Sequence, residues 1–307
     1  LHPETKLLMT RMIEDAAYDE AFARLLQSFV AEKERERSSW ARITVSAHYM
    51  LGGKSPQIER MAAVTETVLL ALDLMDDLQD QDQSDKPWMR CPAPVALNAL
   101  LALLMGVVAE FGELQVQGRA LAQASRIVAR SINGQQADVT DTIASVDDYL
   151  RMTQEKSGSL FRFACFMGYV DVNAADDAIA ILHELADCIG LIQQIQNDMR
   201  DIVRVDEKND LLGKKRTLPA LYLLSIDDPA FRPIQEYYAG AIPKEALLQQ
   251  KEAIIRMIRD SGCLEYSRVV QSVCLQKAER LYAQLPAVSP WKEAFRELTF
   301  ASYLSGS

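Results

Sequence analysis

Apolar residues recur three and four positions apart along most of the chain, the spacing that gives an α-helix one buried face. From residue 5 to 33 the apolar positions are Leu8, Met12, Ala16, Ala21, Leu25 and Phe29, which predicts one long helix. The charged run from Glu32 to Arg37 that follows reads as a solvated face. A second helix, Trp40 to Met50, is stopped by Gly52-Gly53, because glycine reaches the left-handed conformation that ends helices, and Pro56 can open the next. A third runs from Ile58 to Asp80, and Lys86-Pro87 with Pro92 and Pro94 marks the loop after it. Helices are expected at 94 to 114, 117 to 131 and 146 to 155, with a break at Lys156-Ser157-Gly158-Ser159 before the apolar stretch Leu160 to Val170. Such a break, flanked by lysine, either holds a phosphate on its backbone amides or is an ordinary kink. Helical periodicity resumes from Ala174 to Val203 and continues to Ser307, with breaks at Asp228-Pro229, Pro243, Gly262 and Pro290. Strand-like alternation is missing, so the fold class is all-α. Without a linker, repeat or low-complexity tract, residues 1–307 read as a single domain.

Composition narrows this picture. An apolar fraction of 49% supports a sizeable core, and a net charge of −10 disfavours nucleic acid, whose phosphates need a basic face. The five cysteines, Cys91, Cys165, Cys188, Cys263 and Cys274, are odd in number and lack CxxC spacing, which fits free thiols in a reducing cytosol and gives no support to zinc. Mixed charges from Leu1 to Glu14 do not read as a secretory signal. The longest apolar run, Val95 to Ala109, falls short of the roughly 20 residues of a membrane helix and is expected as a core helix. The protein is therefore expected to be cytoplasmic and not transmembrane.

Candidate chemistry lies at two helix ends. Asp76 and Asp80, one turn apart, share a face at the end of the third helix, with Asp73 near the same stripe. Stacked carboxylates repel one another, so they mark either a solvated acidic helix end or a cation site. A second cluster, Gln194, Asn197, Asp198 and Asp201, closes the helix from Ala174 with matching spacing. Two such clusters facing each other would make a cage of oxygen ligands, and hard oxygen donors with room for water and phosphate suit Mg²⁺. The pair weighs against the solvated-end reading.

Together these features resemble the polyprenyl diphosphate synthase superfamily. The resemblance rests on Gly52-Gly53-Lys54, Asp76-Asp77-x-x-Asp80, Gly134-Gln135, Lys156-Ser157, Gln194-x-x-Asn197-Asp198-x-x-Asp201 and Lys215-x-Thr217-Leu218-Pro219. It implies an all-α isoprenoid synthase bundle around a central cavity, acting as a homodimer on an allylic prenyl diphosphate of ten to twenty carbons. It also implies Mg²⁺, three ions once diphosphate is bound, held by Asp76, Asp77, Asp80, Asn197, Asp198 and Asp201. Asp76, Asp80, Asp198, Lys156 and Gln194 take the catalytic roles, while Lys54, Arg90, Lys156 and Lys215 bind diphosphate. Leu69, Ala71, Leu72 and Phe161 line the prenyl-tail cavity. Asn197 departs from the usual aspartate but still offers an amide oxygen.

Further departures concern the second substrate of chain-elongating members, isopentenyl diphosphate. Those members hold it with a GGKxxR pattern, a His seven residues before the first motif and paired arginines after it. Here Lys54 remains, but the other positions hold Gln57, Leu69 and Asp85-Lys86. Within the superfamily the chain is similar to the ComQ family of quorum-sensing isoprenyltransferases, which prenylate a tryptophan of a pheromone precursor peptide. His48-Tyr49, the acidic block Asp73 to Asp82 and Trp88-Met89 carry that likeness. It implies a Trp-containing peptide as acceptor; a class I terpene cyclase and an elongating synthase are the alternatives.

Overall fold

A computed structural model describes residues 1–16, 19–81, 84–140, 142–204 and 210–306. Asp82 and Gln83 of the first acidic block, and 206–209 of the polar loop before Lys214, lie outside the described residues. Among the described residues all regular structure is helical. Helices α1 (Pro3–Ala16), α2 (Glu20–Arg35) and α3 (Trp40–Met50) lead to the long α4 (Ile58–Asp80), α5 (Ala93–Glu113) and α6 (Arg119–Val139). Next come α7 (Val146–Thr153), α8 (Ser159–Tyr169) and α9 (Asp176–Ile202). The C-terminal third holds α10 (Leu218–Ser225), α11 (Arg232–Tyr238), α12 (Lys244–Leu248), α13 (Lys251–Asp260), α14 (Cys263–Gln284) and α15 (Trp291–Thr299).

The middle of α4, most of α8 and the centre of α9 are buried on nearly every side. These three helices form the core, and α3, α5, α6 and α14 pack around them. Polar groups inside this core are paired, as burial demands. Thr44 and Thr65 share a 2.9 Å hydrogen bond, and Thr44 donates to the Ala164 carbonyl. The buried carboxylate of Glu66 on α4 accepts from Ser38 Oγ at 2.6 Å and from the Ala41 amide at 2.9 Å. It thereby caps α3, whose own N-cap residue Ser39 makes no side-chain cap bond.

Four expectations are corrected. The helix expected over 5 to 33 is two, because Asp19 accepts from the Phe22 amide and starts α2 afresh. The helix expected at 117 to 131 continues to Val139. The break expected at Lys156–Ser159 does not interrupt the helix: Gln154–Gly158 form a π-helical turn that joins α7 to α8. Finally, the run Val95 to Ala109 is a core helix on one face only. Within α5, Ala96, Ala99, Leu103 and Val107 face inward, while Leu97, Leu101, Met105 and Val108 form an apolar stripe more than half exposed. The five cysteines are unpaired.

Candidate active site

The two acid clusters do face each other, and three glycines set how closely. A Cβ on Gly134 of α6 would lie 2.3 Å from the Lys156 amide nitrogen, and one on Gly190 of α9 would lie 2.4 Å from that of Gly158. One on Gly158 would meet Asp187. No side chain fits at such separations, so these positions let α6 and α9 press against the π-turn from both sides. That turn adds a residue to the helix and aims Lys156 into the space between α4 and α9.

The space is a chamber of about 250 Å³ lined by Asp76, Asp80, Asp138, Asp198, Asp201, Asp210, Gln194, Asn197 and Tyr149, with Lys156, Lys215 and Arg216 as its cations. Lys156 Nζ sits 2.9 Å from Asp76 Oδ1 and 2.8 Å from Asp138 Oδ2. Its approach to Asp76 lacks hydrogen-bond geometry, which leaves that buried oxygen without a hydrogen-bond partner. Lys215 Nζ pairs with Asp80 Oδ2 at 2.5 Å. Asp198, 1% exposed, accepts from Tyr149 OH at 2.5 Å and from Gln194 Nε2 at 2.8 Å, and Ser157 Oγ donates to Gln194 Oε1 at 3.3 Å. Gln135 Nε2 donates to Gln79 Oε1 at 2.8 Å and ties α6 to the acidic end of α4.

Electrostatics here follow from burial and crowding. Burial, then the nearby carboxylate of Asp210, pushes Asp198 up to about 7, and burial foremost pushes Asp210 up to about 6. Burial opposes charge on Lys215, yet Asp80 and Asp210 outweigh it and raise its pKa to about 12. Lys156 is raised in the same way by Asp76 and Asp138. Six carboxylates against three cations leave the chamber short of positive charge. Its donors are oxygens, crowded beyond what the three cations balance, so the residues fit a hard divalent cation.

Several expected site residues stand elsewhere. Asp77, a hundred degrees round the helix from Asp76, accepts from Trp88 Nε1 at 2.7 Å and lies on a separate cavity of about 210 Å³ with Glu36, Asp73 and Lys86. Its carboxylate thus does not line the chamber that holds Asp76 and Asp80. Lys54 is exposed and does not line the chamber, and the two glycines before it do structural work. Gly52 has φ +82° and ends α3, and a Cβ on Gly53 would strike the His48 ring at 2.4 Å. That ring is locked between the Gly168 carbonyl (2.7 Å) and the Ser55 amide (2.9 Å). Arg90 is exposed as well, since the preceding turn Pro87–Met89 is anchored by buried Trp88 and carries Arg90 outward.

Of the residues expected at the prenyl tail, Leu69 and Ala71 are packed in the core and Leu72 is half-buried against it. Phe161 borders a cavity of about 270 Å³, its ring 4.7 Å from that of Trp40. Sequence reasoning missed Asp138, Tyr149 and Asp210. Asp138 carried a signal, lying three and four residues after Gln135 and Gly134 on the same helical face.

Comparisons with known proteins agree with this geometry. The sequence matches the polyprenyl synthetase family over residues 37–257. It is 24% identical over 292 residues to the tryptophan prenyltransferase ComQ of Bacillus subtilis subsp. natto (strain BEST195), covering 94% of this chain and 85% of that one. It is 26% identical over 306 residues to ComQ of Bacillus subtilis (strain 168), covering 97% and 98%. The fold superposes on a decaprenyl diphosphate synthase from Rhodobacter capsulatus with a TM-score of 0.82 at 18% identity, covering 99% and 96%. With a family match across most of its length and an acid chamber assembled from the motifs of that match, the chain belongs to the polyprenyl synthetase family and is a prenyltransferase.

Proposed function

We propose that the protein ionises an allylic prenyl diphosphate of ten to twenty carbons in the acid chamber and transfers the prenyl group to the indole of a tryptophan in a peptide. The carbon–oxygen bond to diphosphate breaks and its electron pair leaves with the diphosphate. An indole carbon supplies the pair for the new bond, and the indole then loses one proton. Polyprenyl synthetases generally use Mg²⁺; here Asp76, Asp80 and Asp198, with Asn197 and Asp201, would hold it. When bound, the metal supplies Lewis-acid neutralisation of the leaving diphosphate. Lys156 and Lys215 stay cationic despite burial and add to that stabilisation, while Gln194 and Tyr149 fix Asp198.

The observation that carries the acceptor half of the reading is the charge balance beside the chamber. Lys33, 5% exposed, pairs with Asp73 and at 3.3 Å with Glu36. Lys86 pairs with Glu36 and at 3.5 Å with Glu32. Cations that would otherwise take a second diphosphate are thus neutralised within the protein, which suits an uncharged nucleophile. The ComQ relatives, named as tryptophan prenyltransferases, support an indole. With Mg²⁺, farnesyl diphosphate and a tryptophan-containing peptide, mass spectrometry is expected to find the peptide heavier by one prenyl group. Release of a hydrocarbon with no peptide adduct would instead establish the cyclase.

We also infer that a second copy of the chain covers the stripe on α5. Leu97, Leu101, Met105 and Val108 are uncharged, contiguous and exposed, a patch of the kind that marks an interaction surface. Light scattering is expected to give a dimer for the wild type and a monomer for Leu101→Asp with Met105→Asp. A wild-type monomer would sink the inference.

A further inference from the structure

A surface cavity of about 650 Å³ opens between residues 1–5, the turn that joins α2 to α3, the outer face of α3 and α15. Its floor is apolar, with Ala41, Val45, Trp291 and Leu298, and Trp291 is fixed by stacking on Tyr49 at 4.7 Å and 30°. It shares Arg37, Ser38 and Leu298 with the 270 Å³ cavity bordered by Trp40, Phe161 and Gln193. That inner cavity approaches the chamber along two helices. Phe161 follows Ser157 by four residues and Gln193 precedes Asn197 by four, while Ser157 and Asn197 line the chamber itself. About one helical turn therefore separates residues that line this cavity system from residues that line the site of ionisation.

The rim shared by the two cavities is basic. Arg37 adopts φ +57°, and its neighbour Ser38 is tied to buried Glu66, which also holds the start of α3. Arg37 and Arg42 are both exposed, and neither guanidinium makes an ion pair or hydrogen bond with a described residue. Glu34 in the same wall is already taken by Lys6 at 2.6 Å, which leaves Glu59 at the rim as the opposing acid. Two uncommitted guanidiniums over an apolar floor call for a carboxylate beside an apolar group.

We propose that these joined cavities are the acceptor channel for an acidic tryptophan-containing peptide. The indole enters the inner cavity against Trp40 and Phe161. A carboxylate flanking the tryptophan is held by Arg37 and Arg42, and the peptide backbone crosses the outer cavity over Val45 and Trp291. This rests on the reading that the protein transfers its prenyl group to a peptide.

The test uses two acetylated, amidated pentapeptides, Glu-Gly-Trp-Gly-Glu and Lys-Gly-Trp-Gly-Lys, with farnesyl diphosphate and Mg²⁺. The wild type is expected to favour the glutamate peptide by about tenfold in kcat/KM, and Arg37→Glu with Arg42→Glu to erase or invert that preference. Diphosphate release without peptide should stay within about twofold, since both substitutions lie at exposed positions outside the chamber. If the variant keeps the wild-type preference, the channel is overturned while peptide transfer stands. If the variant loses acceptor-free diphosphate release, the arginines serve ionisation and the channel is likewise overturned. If the wild type releases diphosphate but prenylates neither peptide, the transfer reading fails and takes the channel with it.

Discussion

Asp76→Ala and Asp198→Ala are each expected to lower turnover of an allylic diphosphate by about a thousandfold or more, the scale on which removal of one preorganised electrostatic partner acts. Neither is expected to unfold the protein. Six carboxylates share a chamber of about 250 Å³, and removing one relieves repulsion that only Lys156, Lys215 and Arg216 offset. The metal-free variants should therefore melt no lower than the wild type.

The same crowding sets a pH signature. Unfolded aspartate titrates near 4, whereas burial and Asp210 push Asp198 up to about 7 in the fold. Between those values the native state holds a proton that the unfolded chain has released, so this group's contribution to stability is present below about pH 4 and lost as pH rises to 7. Half-buried His183, held down to about 4 first by burial and then by Arg162, works the other way and costs stability as pH falls below its ordinary value. The clean comparison is thus between proteins: the metal-free Tm of the wild type relative to that of Asp198→Asn should rise as pH falls from 8 to 5.5. Mg²⁺ with diphosphate should raise Tm in the wild type and not in Asp198→Asn. Near-normal turnover by either alanine variant would make the acid cage a structural feature and remove the basis of the proposed chemistry.

How much of this was legible in the sequence depended on whether a residue's neighbours lie on its own helix. The end of α4 and the end of α9 could be read because acids three or four apart on one apolar helix announce a shared face, and the helix class followed from the same periodicity. Asp210 could not, since it sits in a polar stretch without period, and Tyr149 looks like any core aromatic until α7 is seen to deliver its hydroxyl to Asp198. The π-turn is invisible for a related reason. A glycine and two serines read as a break, and only the close approach of Gly134 and Gly190 explains why a helix is kept there. Lys54 shows the limit of a short motif. A three-residue motif placed it near diphosphate, but Gly52 and Gly53 are spent on ending α3 and admitting the His48 ring. A short motif cannot distinguish a glycine that makes room for a ligand from one that makes room for a neighbouring side chain.

That displacement sharpens the last expectation: offered radiolabelled isopentenyl diphosphate together with farnesyl diphosphate, the protein should put essentially no label into longer prenyl chains. The sequence already lacked the arginine, the histidine and the paired arginines that elongating members use, leaving Lys54 as the surviving contact. In the structure Lys54 is exposed and outside the chamber. Leu69, in the histidine position, is fully buried in the core and offers no hydrogen bond. Lys86, where paired arginines would stand, is already bound to Glu36 and Glu32, and Lys33 is bound to Asp73 and Glu36. Freeing either lysine for a diphosphate would strand a carboxylate in the same pocket. Each charge-assisted contact forgone is worth about 1.5 to 3 kcal/mol, so the loss of two or three weakens binding of a second diphosphate by several powers of ten. Glu36→Gln tests the cause, because it releases positive charge at Lys33 and Lys86 together and should raise any trace of extension. Efficient extension by the wild type would restore the elongating synthase, with Arg37 and Arg90 as the cations left to hold the second substrate.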